Sequence, residues 1–510
     1  MVQWALMSVT DKTGIVELAR WVSAQGLGIL ASGGTVRHLR EAGVEARPIE
    51  ELTGFGDLLG GRVKTLHPLI YAGLLARPGE KDQAERERLG APDIVLVAVN
   101  LYPFEAALAE HGGFGPALVE EIDIGGVSLL RAAAKNFERI LVLSDPAQYP
   151  RAMERPLDAW APEERRALAA AALQRTAYYD WVISQAMGGL PDPGSAPVWL
   201  VGGRREGELR YGENPHQRAG FYRWPVRRGL AAMVQHQGKA LSYNNLADAD
   251  TAWSLAGMLP ADRPAAVAVK HQNPCGVAVA DSPAEAFRRA RDADPVSIFG
   301  GIVAFNRPVD EDTARLLADL FLEVVIAPGY SPEARAVLAR KTNLRLLDAG
   351  RMPEPPSDPQ VRSVAGGLLV QEPDRFLVAR ESFRHQGGPV IDPGDRIWAD
   401  ADLAWRVVQA CKSNAIVLVR DGSTVGIGAG QTNRIDAARQ AVERAGERAR
   451  GAVLASDAFF PFGDVMQVAA AAGVRLAVEP GGSVRDRESV EVAESSGVSL
   501  YFTDERHFRH

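Results

Sequence analysis

"WALMSVTDKTGIVELARWVSAQGLGILASGGT", residues 4–35, decides the fold class. A short apolar run, "WALMSV", reads as a strand, and "GIVELARWVSAQG" carries apolar residues at helical spacing. A second apolar run, "GLGILAS", closes the unit as another strand. Strand, helix and strand in that order make a βαβ unit, whose strands pair in parallel with their loops at one sheet edge. The same rhythm continues through "TVRHLREAG" as a helix and "IVLVAVNLY" and "RILVLS" as strands, so the first 145 residues read as a parallel α/β domain.

The chain has 510 residues, 46% hydrophobic and 24% charged, with a formal net charge of −7. That length supports more than one core. The mild acidity argues against a nucleic-acid or membrane-surface partner, which would select a basic face. No run approaches the roughly 20 apolar residues that span a bilayer, and "MVQWALMSVTDK" has no signal-peptide pattern. Two cysteines, Cys275 and Cys411, build neither a disulfide framework nor a cysteine zinc cluster. The expectation is a cytoplasmic enzyme acting on small molecules.

A long helical stretch, residues 162–187, precedes "GGLPDPGSAP" (188–197), whose Gly and Pro mark a linker. The expected division is a first domain over 1–190, with its core at about 1–145, and a second over 198–510. "DAGRMPEPPSDPQ" (348–360) splits the second again. Its halves echo each other: "AVAVKHQNPCGVAVA" and "AIVLVRDGSTVGIGAG" are both strand-turn-strand, and "SIFGGIVAF" and "SDAFFPFGD" follow them. A diverged duplication is expected.

"SVTDKTG" (8–14) and "SGGT" (32–35) each leave a strand and open a helix, where free N–H groups attract phosphate. Either loop alone reads as well as a capped helix start; two at one edge, one of them with Lys12, favour phosphate. "GGRVKTLHP" adds Arg62, Lys64, Thr65 and His67. "VNLYPF" places Asn100 and Tyr102 at a strand end, where open α/β sheets bind ligands. "EEIDIGGVSLLRAAAKN" supplies Asp123 and Lys135. Amide, phenol, carboxylate and lysines beside a phosphate site suit acid–base work on a phosphorylated substrate.

In "VAVKHQNPCG" (267–276) a buried strand ends in Lys270 and His271, followed by an expected Pro-Cys-Gly turn. A strand end is a costly place for a lysine unless something there uses it.

The stretches "SVTDKTG", "SGGT", "RVKTLHP", "NLYPF" and "IDIGG…RAAAKN" together resemble the cyclohydrolase half of the AICAR transformylase/IMP cyclohydrolase family of purine biosynthesis. "LRYGENPHQ", "VKHQNPCG", "FGGIVAFN", "VVIAPGY", "KSNAIV", "GIGAGQTNR", "SDAFFPFGD" and "RHFRH" resemble its transformylase half, so the resemblance runs over the whole chain. It implies a methylglyoxal-synthase-like first domain and two cytidine-deaminase-like α/β/α subdomains. It also implies two reactions. Formyl passes from 10-formyltetrahydrofolate to 5-aminoimidazole-4-carboxamide ribonucleotide (AICAR), and formyl-AICAR then closes to IMP with loss of water.

By the same resemblance His271 is the proton acceptor, Lys270 stabilises the oxyanion or protonates the leaving folate nitrogen, and Asn414 hydrogen-bonds the imidazole or formyl oxygen. Asn273 reaches the ligand from the "NPCG" turn. Arg210, Tyr211, Arg434 and Arg506 are expected to contact phosphate and base, and Phe299, Gly300, Phe459 and Phe508 to shape the aromatic and folate pockets. In the first domain Ser8, Lys12, Ser32, Gly33, Gly34 and Thr35 would cradle phosphate, with Arg62 beside them. Lys64 and Thr65 would meet the formyl group or phosphate, Asn100 and Tyr102 would polarise the formyl oxygen, and Asp123 with Lys135 would deprotonate the attacking amide. Val127 and Ser128 replace a common proline, and Asn433 a common serine.

The resemblance also implies that the folate is a cosubstrate and that the protein is a homodimer, as family members typically are. Zinc is not expected, because "PCG" lacks the second cysteine of P-C-x-x-C and no H-x-E precedes it. The glycine backbone of "GIGAG" leaves a bound potassium ion open. A nucleotide-sensing module would keep the phosphate loops but has no use for Tyr102, Asp123 and Lys135 together.

Overall fold

The structure is a computed structural model that describes residues 2–56, 58–225, 228–375 and 379–510. The chain folds into two compact units, Met1–Gly203 and Arg204–His510. The boundary falls a few residues beyond the Gly-Pro segment 188–197.

In the first unit β1 (Gln3–Ser8), β2 (Gly28–Ala31), β3 (Arg47–Pro48), β4 (Asp93–Val99) and β5 (Leu141–Leu143) form a parallel sheet in the order β3-β2-β1-β4-β5. Strand β3 has only two residues, too few for an apolar period, and is not apparent from the sequence. Helices Ile15–Ala24 and Gly33–Glu41 follow β1 and β2, as the βαβ rhythm requires. Ala5 and Met7 pack with Ile15, Leu18, Ala19 and Val22 in one core. Because all strands point the same way, the loops after Ser8, Ala31 and Val99 emerge at one edge, the usual ligand edge of such sheets.

The second unit opens with a hairpin of β6 (Arg204–Leu209) and β7 (Ala219–Arg223). Next come β8 (Val234–Gln237), β9 (Ala265–Lys270), β10 (Asn273–Val279), β11 (Ile302–Phe305), β12 (Val324–Ala327) and β13 (Arg345–Asp348). A second hairpin, β14 (Gln360–Val364) and β15 (Gly367–Gln371), interrupts. The series then resumes with β16 (Arg384–Gly387), β17 (Ile416–Arg420), β18 (Ser423–Gly428), β19 (Val453–Ser456), β20 (Leu476–Glu479) and β21 (Ser499–Phe502).

Among the described residues twelve of these strands form one sheet, in the order β16-β21-β20-β19-β17-β18-β10-β9-β11-β12-β13-β8. Read outward from the β10–β18 junction, both halves repeat one strand order, so the topology is that of a duplication. The junction is narrow: Ala278 pairs with Ser423, and Val279 N donates to Gly422 O at 2.9 Å.

Helices Tyr243–Met258 and Ile397–Gln409 cover one face and share a core that spans both halves, with Trp253, Trp398 and Trp405 in it. The opposite face has a separate core in each half, under Pro283–Ala293 and Arg434–Ala445 among others. Both faces of β9 are therefore buried, which explains its unbroken apolar run. Gly276 in β10 and Gly426 and Gly428 in β18 face these helices. A Cβ on them would stand 1.9–2.0 Å from the carbonyl oxygens of Ala290, Ala441 and Ala437. The glycines of "GIGAG" at 426 and 428 are thus accounted for by close helix packing, and they do not argue for a cation. Among the described residues no group of three or more His, Cys, Asp or Glu side chains converges as metal ligands, and no helix is long and apolar enough to cross a membrane.

Candidate active sites

The first constellation gathers at the ligand edge of the first unit. Ser32 starts the helix Gly33–Glu41 without capping it through its side chain. Its hydroxyl instead accepts from Ser8 Oγ at 3.1 Å and lies 3.4 Å from Thr35 Oγ1. Gly34 has open space where a Cβ would be, and Gly33 has only Glu50 within 4 Å. The result is an uncapped helix start floored by three hydroxyls, suited to an anion. Lys12 reaches in from the β1 loop, donating to Val9 O and, at 3.2 Å, to Thr35 Oγ1. Burial pulls its ammonium below the usual lysine range, with Asp11 opposing that shift.

Asn100 braces the neighbouring loop. Its Oδ1 accepts from Thr10 N at 2.6 Å and Asp11 N at 3.0 Å, and its Nδ2 donates to Asp11 O at 2.8 Å. An amide so engaged shapes the Lys12 loop. Tyr102, two residues on, is 41% exposed and open to a ligand.

The double glycine 125–126 has a steric cause. Asp123 Oδ1 accepts from Gly126 N at 2.7 Å, and a Cβ on Gly126 would stand 2.4 Å from Asp123 Oδ2. A Cβ on Gly125 would stand 2.6 Å from Thr65 Oγ1, a buried hydroxyl. The helix Gly125–Lys135 therefore starts with a carboxylate and a hydroxyl pressed onto it. Burial raises the Asp123 carboxyl above its usual range, opposed by N–H groups of Gly126, Tyr102 and Gly125. Thr65 and Lys64 are brought here by the turn that ends at His67, whose Nδ1 accepts from Leu69 N at 3.2 Å and caps the next helix.

One expected member stands apart. Lys135 is exposed at the far end of that helix, about 15 Å along its axis at 1.5 Å per residue, beside Asn136, which bonds Leu74 O and Ala76 O. Arg62 is exposed and paired with Glu120. Val127 and Ser128 lie inside the helix, where Ser128 Oγ donates to Ile124 O, so they loosen no turn.

The second constellation lies at the β9–β10 turn. The turn is His271–Gln272, at φ 52° and 60°, and "NPCG" belongs to strand β10. The expected Pro-Cys-Gly turn is corrected: Gly276 serves helix packing, and Pro274 sits beside a bulge in the β9 pairing that tolerates its missing N–H. Positive φ at both central residues is the two-residue hairpin pattern, normally filled by Asn-Gly or Asp-Gly. Here Asp248 supports it, its Oδ2 accepting from His271 N at 3.2 Å and its Oδ1 from Gln272 N at 2.7 Å.

Lys270 Nζ donates to Phe299 O, beside Gly300 at φ 68°. Phe299 is 57% exposed and packs on Phe321 at 5.3 Å. Asn273 ties this turn to the other half: its Oδ1 accepts from Lys412 N at 3.0 Å. Two residues later Asn414 lines a cleft of ≈ 300 Å³ with Ser413, Gly430, Gln431, Thr432, Phe508 and His510. Asn414 Nδ2 donates to Gln431 O at 2.9 Å, and Arg434 Nη2 donates to Asn414 Oδ1 at 2.6 Å. Arg434 is buried and paired with Asp457, so it holds Asn414 and does not present a cation to substrate. Asn433 caps the helix by accepting from Asp436 N at 2.9 Å, as serine would.

Phe459 and Phe508 are 37% and 44% exposed, so neither is a core residue, and Phe508 lines the cleft. Arg506 stacks on Phe508 at 4.8 Å, and Arg210 on Tyr211 at 5.3 Å. The motif reading passes over Asp248, Asp457 and His510. Asp248 had a signal: "ADADTAW" (247–253) recurs as "ADADLAW" (399–405).

These features describe an α/β enzyme whose first unit has an open, uncapped helix start and whose duplicated second unit bears a Lys-His turn. The AICARFT/IMPCHase bienzyme family matches residues 133–444 and the MGS-like domain residues 14–128. Proteins called bifunctional purine biosynthesis protein PurH are similar over full length. That of Anoxybacillus flavithermus is 46% identical over 99% of both chains. That of Bacillus cereus strain AH187 is 45% identical and that of Deinococcus deserti 46%, each over the whole of both chains. The chain belongs to the AICARFT/IMPCHase bienzyme family. It is a bifunctional purine-biosynthesis enzyme, an AICAR formyltransferase and IMP cyclohydrolase.

Proposed function

We propose that the second unit transfers formyl from 10-formyltetrahydrofolate to AICAR and that the first closes formyl-AICAR to IMP. The observation that carries the transfer assignment is the His271 turn: an imidazole held at positive φ next to Lys270 and tied through Asn273 to the Asn414 loop. The AICAR amine is weakened by conjugation. As its nitrogen bonds the formyl carbon, it must lose a proton, and His271 is the acceptor. The carbon turns tetrahedral and its oxygen gains charge. Asn414 keeps one amide hydrogen beyond the bond to Gln431, and Lys270 keeps ammonium hydrogens beyond Phe299 O; both are available to that oxygen. When the carbon–nitrogen bond to folate breaks, Lys270 returns a proton to the leaving nitrogen. Phe299, Phe459 and Phe508 offer ring faces to planar ligands, and Arg210, Tyr211 and Arg506 offer contacts for phosphate and base.

In the first unit Ser8, Lys12, Ser32, Gly33, Gly34 and Thr35 receive the phosphate. Asp123 takes the proton of the attacking carboxamide nitrogen. Tyr102 and Lys64 donate to the formyl oxygen, which departs as water with the two protons that the carboxamide nitrogen and the formamide nitrogen give up as the ring closes. Thr65 and Asn100 position these groups, and Lys135 has no direct part. The enzyme works in the cytoplasm as a homodimer on small-molecule substrates, with folate as cosubstrate.

Two variants separate the activities. His271→Ala lowers formyl transfer by about 10²-fold or more, the usual loss of a general base, and leaves cyclisation of supplied formyl-AICAR intact. Asp123→Asn does the reverse, so that formyl-AICAR accumulates. Near-normal transfer by His271→Ala would remove His271 as the base.

A further inference from the structure

The two hairpin turns of the duplicated unit are built alike. Asp248 of helix Tyr243–Met258 accepts from the two N–H groups of His271 and Gln272. Asp400 of helix Ile397–Gln409 accepts from Asp421 N at 2.9 Å and Gly422 N at 2.7 Å. Both turns have positive φ at both central residues: 52° and 60° in the first, 53° and 76° in the second. The second turn is Asp-Gly, which adopts this shape unaided. The first is His-Gln, and left-handed backbone brings the Cβ of each such residue too close to the following carbonyl oxygen. One scaffold is therefore used twice, and only where it carries the imidazole is the turn built from residues that resist it.

We infer that Asp248 is a positioning residue for formyl transfer: its carboxylate holds the His271–Gln272 turn in the conformation that aims the imidazole. The inference rests on the reading of His271 as the proton acceptor. Strain retained at a turn bearing a reactive side chain is the pattern of a pre-organised site. Without Asp248 two N–H groups lose their acceptor and the turn relaxes toward negative φ, carrying His271 with it. A misplacement of about 1 Å can cost about 10²-fold in rate.

The test compares Asp248→Asn, Asp400→Asn and the double variant Asp248→Asn with Gln272→Gly in the full-length protein. Asp248→Asn is expected to lower kcat for transfer 10- to 100-fold with KM for AICAR within about threefold. Cyclisation of supplied formyl-AICAR stays normal. Gln272→Gly, which copies Gly422, restores much of the lost kcat because glycine enters the left-handed region freely. Asp400→Asn leaves transfer unchanged. Normal kcat in Asp248→Asn overturns the inference, and so does a loss that Gln272→Gly leaves untouched. If Asp248→Asn does not fold, Asp248→Ser, which cannot accept from both N–H groups at once, is read in the same way. A His271→Ala variant with normal transfer sinks the proton-acceptor reading itself. A dead His271→Ala beside a fully active Asp248→Asn sinks only the clamp.

Discussion

Arg434 reaches Asn414 from inside the protein: its Nη2 donates to Asn414 Oδ1 at 2.6 Å while its Nη1 pairs with Asp457. Asp457 in turn accepts from Ser413 Oγ at 2.6 Å and Ala415 N at 3.1 Å, on either side of Asn414. The polar loop of the proposed transformylase site is thus hung on a buried ion pair.

Arg434→Met leaves Asp457 charged and fully buried, which by analogy with broken buried pairs destabilises by about 3–5 kcal/mol. Arg434→Lys keeps the charge but loses the fork that reaches both partners. The lysine variant is expected to remain folded by urea denaturation and to lose transfer by roughly tenfold or more, the worth of one charge-assisted hydrogen bond.

Gly126→Ala forces a methyl group to within 2.4 Å of Asp123 Oδ2 and 2.9 Å of Leu101. Overpacking of this kind costs about 1–3 kcal/mol, and relief comes by moving Asp123. Cyclisation is expected to collapse while formyl transfer continues, measured on supplied formyl-AICAR and on AICAR with formyl donor.

Gly34→Ala is the contrasting change, since nothing lies within 4 Å of its added Cβ. Folding stays intact, but the methyl group occupies the anion pocket. Calorimetric titration with inorganic phosphate should detect weaker binding than in the wild type, and the KM of cyclisation should rise with little change in kcat.

Burial pushes Glu479 up to about 8 from an ordinary 4.5, opposed by N–H groups of Phe460 and Gly481. Between those values the unfolded chain releases this proton and the folded chain keeps it. Stability from this group is therefore fully present below pH 4.5 and falls as pH rises, by about 1.4 kcal/mol per unit, until the folded group also ionises near 8. Glu479→Gln removes the titration. Its stability relative to wild type should climb by roughly 2–3 kcal/mol from pH 5.5 to 7.5 in urea unfolding.

Cutting the chain after Gly203, where one compact unit ends and the next begins, is expected to yield two folded fragments. The first should close formyl-AICAR alone and the second should transfer formyl alone. IMP formation by the mixture, but by neither fragment from AICAR, is the readout. An inactive but folded first fragment would show that its site needs residues from beyond Gly203.

Much of the second unit's plan was legible as an echo of short motifs, because a duplicated strand order needs a duplicated apolar period. The individual roles were less legible. Arg434 and Asn100 stand in motifs that suggest ligand contact, yet their polar atoms are engaged by Asp457 and by the Thr10–Asp11 backbone. Which of several possible partners a polar side chain meets is set by packing. Lys135 shows the same limit, since a distance of twelve residues from Asp123 says nothing until a straight helix is known to separate them.

The sequence by itself determined the βαβ first domain, the repeat in the second and the positions of the reactive side chains, since strand and helix periods and strand-end loops are local properties. It also determined the Asp421–Gly422 turn, a pair that bends without help. The His271–Gln272 turn was decided only by tertiary structure. Pro274 and Gly276 carry the stronger local turn signal, but Gly276 is claimed by helix Pro283–Ala293 and Pro274 by strand β10. The chain bends instead at His271, where a carboxylate 23 residues away supplies the hydrogen bonds that local chemistry does not.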